Sequence, residues 1–153
     1  MYSKTQSSEI KQAFWTAFGQ YMALQPGAEG ARINWINYKT GFKHIKFKMQ
    51  ADTKSASISI QISHPDLGVQ QLMFEQFWEL KKVLVEYLEE PWDWKFSTMD
   101  ENNKPVSLIR RSIDNVSIYR KEDWPALISF FKQRIIALDN FWLVAQNSFE
   151  AFL

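Results

Sequence analysis

An α+β domain is predicted by three observations. From Trp124 to Phe152 the apolar residues Trp124, Ile128, Phe131, Ile135, Leu138, Trp142, Ala145, Phe149 and Phe152 recur at alternating four- and three-residue steps, which keeps them on one helical face. Two stretches in the first half alternate apolar and polar residues as strands do. Finally, the elements follow the order α-β-β-β-α-β-β-(β)-α, with strands adjacent in the chain and helices set between them. The expected architecture is a mostly antiparallel sheet of four to six strands with three long helices, carried mainly on one face.

The first helix is expected over about residues 7–24, with Ile10, Phe14, Ala17, Phe18 and Tyr21 on one side and Pro26-Gly27 as the stop. Residues 27–30 read as a turn, residues 33–38 as a strand, and Lys39-Thr40-Gly41 as a tight connection. Residues 42–49 place Ile45, Phe47 and Met49 on one face and His44, Lys46 and Lys48 on the other. Residues 56–63 set Ala56, Ile58, Ile60 and Ile62 against Ser57, Ser59, Gln61 and Ser63. Alternation in both implies an antiparallel hairpin buried on one face only.

Pro65-Asp66 opens a second helix running to Glu90, with Met73, Phe77, Leu80, Leu84 and Leu88 as its apolar side and Pro91 as its end. Trp92, Trp94 and Phe96 alternate with Asp93, Lys95 and Ser97, a strand pattern. Residues 106–111 and 116–119 are shorter strands. The last helix starts near Asp123 with Pro125 in its first turn. About 29 residues at ~1.5 Å each give a helix of about 43 Å, against ~20 Å for a six-residue strand. It must overhang the sheet, bend or touch another chain. Ile136 and Leu143, away from the main stripe, mark a second contact surface.

Composition bounds the rest. The chain has 153 residues, 46% hydrophobic and 23% charged, enough for one core that buries roughly 70% of the extended-chain surface. Residues 1–153 are therefore expected to form a single domain. No cysteine is present, which removes disulfides and thiolate metal sites. The first residues lack a secretory apolar stretch, and no run approaches the roughly 18 apolar residues of a membrane span. A cytoplasmic protein without a membrane partner is expected. The formal net charge is +1, so the molecule as a whole has no field that steers it to nucleic acid. Charge is uneven along the chain: residues 39–54 carry five lysines against one acid, and residues 66–101 carry nine acids against three lysines.

Chemistry-bearing patterns are sparse. His44 and His64 are the only histidines, no serine lies in a nucleophile elbow, and Gly27 and Gly30 precede a strand where a phosphate loop would precede a helix. Two imidazoles without thiolates make a poor zinc site, and no cofactor is expected. Glu75, Glu79 and Glu86 read as helix solvation. Trp92 and Trp94 read as core, as do Trp15, Trp35, Trp78, Trp124 and Trp142. The polar side of the hairpin stands out, with His44, Lys46 and Lys48 in line and Ser59 and Gln61 across from them. Arg110 extends the set if the later strands join the same sheet. Cations beside small hydroxyl donors can grip phosphates. These six residues form the candidate binding set, and no catalytic residue is assigned.

Three segments carry a family resemblance: Ala13-Phe14-Trp15-Thr16-Ala17-Phe18-Gly19-Gln20-Tyr21-Met22, Ile33-Asn34-Trp35-Ile36-Asn37-Tyr38-Lys39-Thr40-Gly41 and Glu122-Asp123-Trp124-Pro125-Ala126-Leu127-Ile128-Ser129-Phe130-Phe131. In these the chain resembles an uncharacterised bacterial domain-of-unknown-function family, found as small stand-alone proteins and C-terminal to nuclease-like domains. The resemblance implies a bacterial cytoplasmic setting and nucleic-acid-related work, and carries over no functional residues. The element order is also similar to the PD-(D/E)XK nuclease core. There the acid would fall at Asp52 and the acid-x-lysine at Gln61-Ile62-Ser63, which lacks both required groups. A degenerate nuclease-like core is thus the alternative fold. The leading expectation is a non-enzymatic interaction module with a protein partner or a second copy of itself, and nucleic-acid or phosphate binding is the alternative.

Overall fold

Capping chemistry sets the first helix. The Ser3 hydroxyl accepts the Gln6 N–H while the Gln6 side chain accepts the Ser3 N–H, a reciprocal box that satisfies two otherwise orphaned donors. Helix α1 (Lys4–Met22) therefore starts three residues earlier than its apolar pattern suggests. The computed structural model describes residues 2–153. Beyond α1 come strands β1 (Ile45–Ala51) and β2 (Ser55–Ile62), helices α2 (Leu67–Glu79) and α3 (Lys81–Leu88), strands β3 (Asp93–Met99) and β4 (Pro105–Asp114), and helix α4 (Trp124–Ala145).

The protein is α+β, with one four-stranded antiparallel sheet in the order β1-β2-β4-β3. Ile45 and Phe47 of β1, Ile58, Ile60 and Ile62 of β2 and Ile109 of β4 are buried in one cluster with Met73 and Phe77 of α2 and Leu127, Phe131, Ile135, Leu138 and Trp142 of α4. Helices α2 and α4 lie against this face of the sheet, and α1 packs on α4 through Phe14, Phe18 and Phe131. The alternation predicted for both strands of the hairpin is thus observed. No helix among the described residues is long and apolar enough to cross a membrane.

Four expectations are corrected. Residues 33–38 form no strand. They cross α4 as an irregular segment held by side chains: Trp35 donates its indole N–H to the Gln25 carbonyl, and Tyr38 donates to Asp139. The preceding turn closes through an isolated Pro26–Arg32 bridge, with Gly30 at φ +83°, a backbone region that glycine enters without a Cβ penalty. Residues 116–119 are also irregular, although Val116 and Ile118 donate backbone N–H groups to the Lys54 and Asp52 carbonyls. The second helix breaks at Leu80 (φ −92°, ψ 9°), because α2 follows the sheet and α3 follows α4. Last, α4 ends at Ala145 and continues as a 3-10 segment, Gln146–Phe152. The tighter 3-10 winding places Phe149 in the core beside Phe77, at a ring separation of 4.4 Å.

Candidate interaction surface

Register decides which side chains meet. Lys46 is paired with Gln61, and Lys48 with Ser59, which is paired in turn with Arg110. Because side chains alternate across a strand, Lys46, Lys48, Ser59, Gln61 and Arg110 all emerge on the face away from the helices. Ser59 is only 4% exposed: a short side chain between two long cations is shaded by them. No salt bridge involves Lys46 or Arg110 among the described residues. Asp93 stands opposite Arg110 in the ladder. Arg111, one residue along, points to the helical side and meets Glu90.

The face is not uniformly bare. A register shift between Lys95 and Thr98, with Ser97 at φ 54°, marks a bulge, which bends and twists a strand locally. The β3–β4 turn reaches back over the hairpin, so that Lys48 donates to Glu101 at 3.1 Å. Val106 and Leu108, on this same side, are buried. What remains open lies towards the β1–β2 turn, where Gln50, Ser57, Arg110 and Ser112 line a depression with Lys11 of α1 and the carboxylates Asp52 and Asp114.

At the other end of the hairpin the structure brings His44 and His64 together, with ring centroids 4.6 Å apart. Desolvation, then the nearby His64 and Lys43 charges, hold the His44 imidazole below its usual pKa. His64 accepts the Asp66 N–H through Nδ1, so its remaining proton sits on Nε2 when it is neutral. No group of three or more metal-ligating side chains is found among the described residues. Asp52 accepts N–H bonds from Lys54 and Ser55. Led by the Lys54 bond, these hold its carboxyl below the usual range. Gln61 sits six residues up β2 from Ser55, about 20 Å away, so the places a nuclease-like core would need do not converge.

The carboxylate that pattern reading missed is Asp139. It lies in α4 between Leu138 and Trp142, only 7% exposed, and accepts the Ala28 N–H at 2.7 Å and the Tyr38 hydroxyl at 2.5 Å. Burial, then that bond and the carboxylate's charge, push the Tyr38 phenol well above its usual pKa. A cavity of about 190 Å³ adjoins it, lined also by Arg32, Lys39 and Thr40, below the ~300 Å³ where small-molecule sites begin. The sequence signal was an acid inside an apolar helical run. Its work is to pin residues 28–38 onto α4. Asp139→Ala is expected to cost about 1–3 kcal/mol by orphaning two donors, measurable as a lower urea midpoint.

Of the two residues expected on a second contact surface, one is partly buried and the other exposed. Ile136 packs partly buried against the core, while Leu143 is 37% exposed beside the Asp139 cavity. Trp78 is not core: it is 51% exposed, and with Phe74, Trp94 and Phe96 it forms an aromatic ledge along β3. No curated protein and no solved structure matches the chain. A family model, "Domain of unknown function (DUF4268)", matches residues 10–145, which takes in most of α1, the whole sheet and α4. The chain therefore belongs to this domain-of-unknown-function family.

Proposed function

We propose that this chain is a non-enzymatic interaction module that receives an anionic group of its partner on the uncovered face of the sheet. The observation that carries this reading is the shared row of Lys48, Ser59 and Arg110 with Lys46 and Gln61 beside it, on a face the helices leave alone. Among the described residues two of its cations, Lys46 and Arg110, have no carboxylate in a salt bridge, so an incoming anion displaces no partner there. Glu101 and Asp93 temper the field, which favours a local contact over long-range capture. A second reading, binding of nucleic acid, is supported by the small hydroxyls of Ser59, between Lys48 and Arg110, and of Ser57, between Gln50 and Ser112, which let a phosphate backbone approach.

Fluorescence anisotropy at low salt with two probes, a glutamate-rich peptide and a single-stranded oligonucleotide, tests both. Binding should weaken as salt rises, and Lys46→Glu with Arg110→Glu should reduce affinity about tenfold or more. Preference for the oligonucleotide supports the second reading. If neither probe binds, or the double variant binds as well as the parent, this face is not the working surface.

A further inference from the structure

Strand β3 is a free edge of the sheet, and it is poorly protected. Among the described residues no backbone group of residues 93–96 bonds to any element but β4. Asp93, Lys95 and Phe96 are exposed, and beside them lies the half-exposed ledge of Phe74, Trp78 and Trp94. Such an edge is a template for strand addition unless something covers it. The bulge after Lys95 blunts its far half, leaving residues 92–96 as the part that can pair.

That short segment is complementary to itself. When two copies are laid antiparallel about a twofold axis through Trp94, Trp94 faces Trp94, Trp92 faces Phe96, and Asp93 faces Lys95 twice. On the helical side Trp94 then meets its own copy, while Trp92, 7% exposed, stays within its own core, and opposite charges meet on the polar side. Both are favourable cross-strand pairings, and an isologous contact of this kind closes as a dimer. We infer that the β3 edge is the contact between two copies of this chain, joining their sheets into one of eight strands through reciprocal Asp93–Lys95 pairs. This shares Asp93 with the anion-binding face but does not rest on that reading, since its contact is the strand's edge and it is read by mass.

The register is testable by charge exchange at exposed positions. Light scattering after gel filtration at high micromolar concentration should give about twice the 18.1 kDa of the chain. Asp93→Lys alone places lysines opposite one another, and Lys95→Asp alone places aspartates opposite one another, so each variant should be monomeric. Mixed in equal amounts, the two should recover the dimer, because each then meets its opposite twice. A monomeric parent protein would overturn the inference and leave the edge to a different chain. A dimer that both single variants retain would also overturn it, since the contact would then lie elsewhere. Failure of the mixture to reassociate would refute the proposed register. None of these outcomes bears on oligonucleotide or peptide binding by a monomer.

Discussion

Phe149→Ala is expected to lose about 3–5 kcal/mol of stability, the range for truncating a fully buried phenylalanine. The ring has no solvent exposure and touches Phe42, Phe77, Trp142 and Phe152. These aromatic neighbours are themselves held in place: Trp142 donates its indole N–H to the Thr40 carbonyl at 2.7 Å, and the Thr40 hydroxyl donates to the Ile45 carbonyl. A rigid wall collapses poorly into a void, which places the cost towards the upper end. Phe149→Leu, which fills most of the space, should cost less than half as much. Urea titration followed by tryptophan fluorescence reads both, and a loss under 1 kcal/mol would show that the 3-10 segment does not hold the core shut. The family match ends at residue 145, short of this ring.

Glu90→Ala should cost about 3 kcal/mol. Glu90 accepts two hydrogen bonds from Arg134 at 2.8 and 2.9 Å and one from the Trp92 indole at 2.8 Å, with Arg111 a further 3.8 Å away. Among the described residues the buried Nε of Arg111 has no hydrogen-bond partner, and the Glu90 charge is what stands nearest it in an ion pair. Removing the carboxylate leaves Arg134, 18% exposed, and Arg111, 39% exposed, without their shared partner, and breaking a fully buried pair costs ~3–5 kcal/mol. The residual 18% exposure of Glu90 and Arg134 favours the lower figure. Burial pushes this carboxyl up but is outweighed by the Arg134 and Trp92 bonds and the two arginine charges, so its pKa lies below the ordinary 4.5. A depressed folded-state pKa stabilises above the unfolded value and stops doing so as pH falls through the folded one. The gap between the parent and Glu90→Gln should therefore be full near neutral pH and close as the solution is acidified below about 4.5. A gap that stays constant with pH would mean that shape, not charge, is what Glu90 supplies.

The residues that could be read in advance are those whose environment is set by a period. Ile58, Ile60 and Ile62 alternate with Ser57, Ser59 and Gln61 because one side of the sheet meets helices and the other does not, and the hairpin register followed from that. The α4 stripe held for the same reason. What could not be read depends on neighbours far away in the chain. Residues 33–38 have a strand's composition and run beside the outer strand β1, yet Trp35 and Tyr38 take single side-chain partners in place of a ladder. No glycine or proline marks the break at Leu80, which comes from the different directions of the sheet and α4. Phe74 and Trp78 lie one position past Met73 and Phe77, about 100° around the helix, so the same apolar run that fills the core also supplies the outer ledge. Asp139 was legible only as an anomaly, since nothing in the sequence says that Ala28 and Tyr38 arrive to meet it.

Because β2 lies beside β4, each hairpin can zip over its own short turn, whereas the seam between them joins residues about 45 to 60 positions apart, from Ile62–Ser107 to Ser55–Asp114. Closing that loop costs entropy before any contact across it is rewarded. By sequence separation this seam is the pairing expected to close last. Until it does, Ile58 and Ile60 sit on an unguarded ribbon, the stage at which crowded chains of this protein are most at risk of sticking together.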